Sequence, residues 1–194
     1  MKRKKILNQI GFTLMEVIVV VGIIAILTPA LFAIVFGILR QQAKVQALKQ
    51  AKREGDFLLQ NIENNIRNYA LSIHSGPPDD TNIECNSSSP PKNAYQSSPM
   101  YFKDKFGNWF KYDIAAGGSN NTKIASDSSL TNADADLTTS KVDVQGFTQT
   151  CTSTSAFSPA VVSIQFTINY NTDSVRPEDT GVLTYKTKVK LRSY

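Results

Sequence analysis

The sequence predicts an α+β protein: a long N-terminal helix whose second half packs on an antiparallel β-sheet head. Three observations predict it. Between Phe12 and Leu39 the only charged side chain is Glu16. Beyond Arg40, apolar residues recur at steps of three and four, the period of one helix face. Near the C-terminus two segments alternate apolar and polar residues, the period of a strand covered on one face.

The first element is a basic leader, residues 1–11, with Lys2, Arg3, Lys4 and Lys5 and no acid. The chain has 194 residues, with 21 Lys and Arg against 16 Asp and Glu. Without the leader the balance falls to 17 against 16, so the net basicity is a targeting feature and weak support for a nucleic-acid partner. Residues 12–39 follow. Twenty-eight residues at a rise of ~1.5 Å span ~42 Å, more than the ~30 Å hydrocarbon core of a bilayer. The leader places the N-terminus in the cytoplasm, although Arg40 and Lys44 just past the other end blunt that rule. A secretory signal peptide would have a shorter apolar run and a small-residue cleavage site after it.

Residues 40–75 continue the helix. Leu48, Ala51, Gly55, Leu58, Ile62, Ile66, Tyr69 and Ile73 fall on one face, with Gln, Lys, Asn and Glu on the other. One helix is expected from about Thr13 to about Ile73, roughly 90 Å long at 1.5 Å per residue. Pro29 is expected to kink it, and Gly76-Pro77-Pro78 to stop it.

Residues 76–194 form the head. Asp79 to Pro99 is polar and rich in Ser, Pro and Asn. Met100 to Ile114 reads as two short strands around a turn at Phe106-Gly107-Asn108. Ala115 to Ser140 reads as loop with one short strand at most, and Lys141 to Phe147 as another strand. Val162, Ile164, Phe166, Ile168 and Tyr170 alternate with Ser163, Gln165, Thr167 and Asn169. After a loop from Asn171 to Gly181, Tyr185, Thr187, Val189 and Leu191 face one way. Lys186, Lys188, Lys190 and Arg192 face the other. The only cysteines, Cys85 and Cys151, lie beyond the apolar segment. If that part is exported, a disulfide between them is the first expectation, with two free thiols as the alternative.

The stretch GFTLMEVIVVVGIIAIL, after its basic leader, closely resembles the N-terminus of type IV pilins and type II secretion pseudopilins. The resemblance covers about thirty residues; the rest agrees by layout, a long helix and then a β domain with two late cysteines. It implies that a prepilin peptidase cuts after Gly11, that Phe12 becomes an N-methylated N-terminus, and that Glu16 is the fifth residue of the mature chain. Pro29 falls earlier than the proline of many major pilins. The implied partners are other pilin or pseudopilin subunits, the prepilin peptidase, an inner-membrane assembly platform, and the lipid bilayer before assembly. Residues 53–71 and the basic last strand look like the larger minor pilins and J-type pseudopilins, whose bulky heads tend to sit at or near a filament tip. The implied location is the inner membrane, with the head periplasmic or extracellular, and then a filament.

The resemblance also gives Glu16 a role. A carboxylate near a bilayer costs roughly 2.5–3.5 kcal/mol on insertion scales and needs a partner. Cleavage after Gly11 would supply one, the Phe12 ammonium of a neighbouring subunit. The plainer reading is that Glu16 snorkels to the interface or stabilises its own helix start.

No enzyme is expected. His74 is the only histidine and falls at the expected helix end, where capping of carbonyls is its simplest role. Asp79, Asp80, Asp134 and Asp136 fall in loop-like sequence. Asp173, Glu178 and Asp179 gather hard oxygen ligands in the last hairpin loop, and some pseudopilins bind calcium in a late loop. Arg176 lies among these acids and the spacing fits no fixed template, so a solvated turn is the default. Some pilin-like proteins bind DNA. Here Lys186, Lys188, Lys190 and Arg192 would contact phosphates and Trp109 and Tyr194 would stack bases, whereas such a lysine row is more often the solvent face of an edge strand. The expected function is a minor pilin or pseudopilin. The alternatives are a filament-tip adhesin or DNA-binding subunit, and a single-pass anchored protein with no filament role.

Overall fold

The computed structural model describes residues 12–79, 81–86, 94–117, 121–130, 134–154 and 158–192. Gly11, the basic leader, Asp80 and Tyr194 lie outside the described residues. The chain is α+β and divides into two units, Met1–Gln42 and Ala43–Tyr194. Helix α1 (Leu14–Tyr69) runs from the first into the second.

In the first unit α1 exposes every large apolar side chain from Leu14 to Leu39. It is long and apolar enough to cross a membrane. The helix continues without a break through Pro29. A proline supplies no N–H to the preceding turn; one residue earlier, the Thr28 hydroxyl donates to the Ile24 carbonyl at 2.7 Å.

In the second unit α1 buries Ala47, Ala51, Gly55, Leu58, Ile62 and Ile66. These lie three and four residues apart, as a single stripe requires. Leu48 is only half-buried and Tyr69 is exposed, so both sit at the margins of the expected face. The helix ends at Tyr69, not Ile73. The Leu71 N–H donates to the Lys103 carbonyl at 2.8 Å, and the chain turns at once into β1 (Ser72–His74). Ile73 lies one heptad past Ile66, so the helical period continues through it although it belongs to a strand.

The strands that follow are β2 (Ile83–Glu84), β3 (Ala94–Ser97), β4 (Met100–Lys103), β5 (Trp109–Ala116), β6 (Thr122–Ser128), β7 (Ala135–Asp136), β8 (Val142–Thr152), β9 (Val161–Tyr170) and β10 (Gly181–Lys190). They make two antiparallel sheets rather than one, a six-stranded β2-β1-β4-β5-β6-β7 and a four-stranded β10-β9-β8-β3. The β4–β5 and β9–β10 hairpins fall where alternation placed them. The polar stretches 79–99 and 115–140, expected to be mostly loop, also contribute β2, β3, β6 and β7. A bulge between Gln145 and Thr148 holds Gly146 at φ 62°, a left-handed conformation that glycine adopts without cost.

The core fills with Phe102, Met100, Tyr112 and Ile124 from the six-stranded sheet and Ile164, Phe166, Ile168 and Val189 from the four-stranded sheet. Leu58, Ile62 and Ile66 of α1 join them. Each fully buried side chain of this size contributes roughly 1.5–3 kcal/mol relative to exposure. The helix lies close on β10 because two glycines leave room. The Tyr185 ring occupies the space a Gly55 side chain would take, and Gly181 faces the Ala47 carbonyl.

Polar groups stitch the layers together. Gln149 of β8 is buried; its amide donates to the Tyr112 carbonyl at 3.2 Å and accepts from the Met100 N–H at 3.2 Å, bridging to the other sheet. Asp143 of β8 accepts from the Thr122 N–H and hydroxyl, both at 2.8 Å. Cys85, immediately after β2, is disulfide-bonded to Cys151 of β8, with Cα atoms 6.2 Å apart. That bond ties the edge of one sheet to the other.

Candidate functional site

At the start of α1, Thr13 and Glu16 form a capping box. The Glu16 carboxylate accepts from the Thr13 N–H at 3.0 Å and from its hydroxyl at 3.1 Å, and the Glu16 N–H donates back to the Thr13 hydroxyl at 3.3 Å. Thr-x-x-Glu before an apolar run is the sequence signature of such a cap, and it satisfies backbone donors that the first turn leaves open. Within a single chain the carboxylate thus has local partners. Phe12, Val17, Val20 and Val21 surround it with exposed apolar surface.

The hairpin loop between β9 and β10 holds Asp173, Glu178 and Asp179 without converging them. Among the described residues no group of three or more His, Cys, Asp or Glu is placed to hold a metal ion. Asp179 accepts from the Ser174 hydroxyl at 3.4 Å. Besides the loop's own Arg176, a positive charge reaches it from α1: the Lys44 ammonium donates to the carbonyls of Pro177 at 3.0 Å and Thr180 at 2.8 Å. It occupies the C-terminal end of the short 3-10 turn Pro177–Asp179, where open carbonyls favour a cation. The sequence marks Lys44 only as a charge just past the apolar run. A contact spanning 136 residues leaves no local signal.

The basic row separates into two places. Lys186, Lys188 and Lys190 are exposed on the solvent face of the four-stranded sheet. Lys186 and Lys188 border a shallow depression with Thr148, Thr150, Ser163 and Gln165. Arg192 lies past the end of β10 and lines a different concavity, with Asn68, Tyr69, Asp104 and Phe106. Trp109 packs edge-on to Tyr101 in the other sheet, ring centroids 5.2 Å apart, and is not on the lysine face.

His74 caps no helix. It is buried in β1, with Nε2 2.8 Å from the Ser72 hydroxyl and Nδ1 2.7 Å from the Asn82 side-chain oxygen. Asn82 also accepts from the Asp79 N–H and donates to the Pro77 carbonyl, so the histidine fastens the loop that follows β1. Asp79, Asp134 and Asp136 do not pair as an acid–base couple; Asp134 accepts from the Ser128 N–H and Asp136 binds Lys123 at 2.6 Å.

Four ionisable groups outside the apolar segment are tuned by their surroundings; burial raises one of them, the Tyr112 phenol. Burial pushes the Asp143 carboxyl up, but bonds from Thr122, Gln145 and Asn169 together outweigh it and hold it below the usual carboxylate value. The hydrogen bond to Asp127 raises the Lys111 ammonium. Burial, with the Asp56 carboxylate adding to it, pushes the Tyr185 phenol up to about 12.

No protein-family model, curated protein or solved structure matches this chain.

Proposed function

We propose that this chain is a minor pilin or pseudopilin, a structural and non-catalytic subunit of a type IV pilus or type II secretion-like filament. One observation carries the reading. An exposed apolar helical surface begins at Phe12 and extends to Leu39, its single charge is Glu16, and the same helix continues into a disulfide-bonded β head. Such a surface needs lipid or other helices to cover it. In this reading it spans the inner membrane first, N-terminus in the cytoplasm, and is later covered by the helices of other subunits. A prepilin peptidase removes residues 1–11, and Phe12 becomes a methylated N-terminus. The assembly platform then transfers the subunit from lipid to filament.

The change of partner at Glu16 is the physical step in that transfer. In the monomer Thr13 satisfies the carboxylate. In a packed helical core, a neighbouring Phe12 ammonium would take its place. A poorly solvated ion pair of this kind fixes register more than it adds stability.

Mass spectrometry of the protein recovered from filaments tests the proposal. The expected N-terminal residue is Phe12 bearing a methyl group. Filament-associated protein that retains Met1 would refute the processing, and purified filaments that lack the chain would refute the filament role and leave a membrane anchor.

A further inference from the structure

We propose that the solvent face of the four-stranded sheet binds an anionic polysaccharide. Strand register sets out the face in rows. Lys186 lies opposite Gln165, and Gln165 opposite Thr148. Lys188 lies opposite Ser163, then Thr150, then Gln96 of β3. Each ammonium therefore heads a row of hydroxyl and amide side chains. Lys190, two residues on, adds a third charge, so the ammoniums recur about every 7 Å along the strand. The first two rows border a depression of about 360 Å³.

Three other lysines of the second unit are engaged within the fold. Lys111 pairs with Asp127 at 2.9 Å, Lys123 with Asp136, and Lys44 with two carbonyls. Lys186, Lys188 and Lys190 make no ion pair among the described residues. The carboxylate on this face is Asp143, in the separate row of Val182 and Asn169 at the far end, where it is buried and engaged by Thr122 and Gln145. Among the described residues, positive charge is thus left uncompensated beside this shallow polar depression.

The side chains select among polyanions. Hydroxyls and amides both donate and accept, which matches a chain of sugar hydroxyls, while the ammoniums match its carboxylates or sulfates. A single-stranded nucleic acid would use aromatic platforms for its bases, and no aromatic side chain lies in these rows. The disulfide places the head where thiols oxidise, outside a reducing cytoplasm. A lysine row on an edge strand also discourages strand addition; that role needs the charges alone and gives the Thr and Ser rows no part. The proposal is independent of the filament reading, since a chain that keeps Met1 would present the same face.

The test uses the full chain in non-ionic detergent with immobilised heparin and polygalacturonate, neutral dextran as control, and single- and double-stranded DNA of matched charge. The expected result is retention on both acidic polysaccharides and not on dextran, weakening as sodium chloride rises. The triple variant Lys186→Gln, Lys188→Gln, Lys190→Gln is expected to lose at least tenfold in affinity, and Lys49→Gln with Lys52→Gln, on the helix, less than twofold. Thr150→Val with Ser163→Ala keeps every charge and is expected to weaken polysaccharide binding at least threefold, leaving any DNA retention unchanged. Binding that survives in the triple variant, binding that ignores the hydroxyl substitutions, tighter binding to DNA than to the polysaccharides, or no binding to either polysaccharide overturns the proposal. An unchanged melting temperature and an intact Cys85–Cys151 peptide show that each variant is folded.

Discussion

The Tyr185 ring stands where a side chain on Gly55 would be: a β-carbon added there would lie 2.2 Å from two ring carbons and 2.5 Å from the phenol oxygen. The ring has little freedom to withdraw. It stacks on Phe166 with centroids 5.2 Å apart, and its hydroxyl donates to the Lys52 carbonyl at 3.2 Å. Gly55→Ala gains helix propensity of about 1 kcal/mol, but overpacking costs about 1–3 kcal/mol. The expected net effect is destabilisation, read as a lower denaturant midpoint of the head. Adding Tyr185→Leu is expected to recover most of the loss. A stabilised Gly55→Ala variant would show that the ring moves freely.

The Cys85–Cys151 bond closes a loop with a sequence separation of 66. Cys151→Ser is expected to destabilise the head by about 2–5 kcal/mol, with unchanged membrane insertion. Non-reducing peptide mapping of the native protein should recover the linked pair. Two alkylatable thiols in the native protein would contradict it.

Asp143 makes stability depend on pH at the acid end. Its folded-state carboxyl is held below the ordinary value, so its contribution is present above the unfolded value of about 3.9. It is lost as pH falls through the folded value. Urea midpoints measured between pH 7 and pH 2 should therefore fall less steeply below about pH 4 in Asp143→Asn than in the parent. At neutral pH that variant should be the less stable of the two, because an amide is a weaker acceptor for Thr122 than a carboxylate. Parallel curves would remove Asp143 as the source.

Lys44→Met leaves two carbonyls of the β9–β10 loop without their ammonium. Hydrogen bonds to charged groups contribute about 1.5–3 kcal/mol. Amide exchange across 171–180 is therefore expected to quicken by about tenfold or more, with little change in β9. Equal exchange in parent and variant would show that the loop holds itself.

Glu16→Ala removes a charge from an apolar segment and is expected to leave membrane insertion intact while impairing recovery in filaments. Thr13→Ala removes the hydroxyl partner of Glu16 but keeps the carboxylate, so its loss in filaments should be the smaller. Equal recovery of Glu16→Ala and parent would end the register role.

Strong periodicity made much of this fold legible. Val162–Tyr170 alternates without error and appears as β9. Six buried positions of α1 follow one stripe, five of them on the expected face and Ala47 beside it. Short strands escaped because three residues carry no period: Ile73 fits a helix stripe as well as β1. Strand β6, Thr-Lys-Ile-Ala-Ser-Asp-Ser, includes three residues depleted in strands, Lys123, Ala125 and Asp127, and its pairing with β5 holds it. At the candidate site the capping box at Thr13 was readable as a motif. The parting of Arg192 from the lysine row was not, because alternation stops describing a chain once the strand ends at Lys190. Gln149 and Lys44 were silent for the same reason: each is a polar residue whose partners come from distant parts of the chain.

The helix stripe in the head lies against the last strand of the chain. A ribosome adds about 5–20 residues per second, so the roughly 120 residues separating Ile66 from Lys190 take about 6–25 s to emerge. Through that interval Ala51, Leu58 and Ile62 exist without the strand that covers them. During biosynthesis the nascent helix therefore presents an uncovered apolar face, and the synthesis of β10 decides when it is sealed. Chains truncated before β10 should accumulate as chaperone-bound or degraded species, not as partly folded heads.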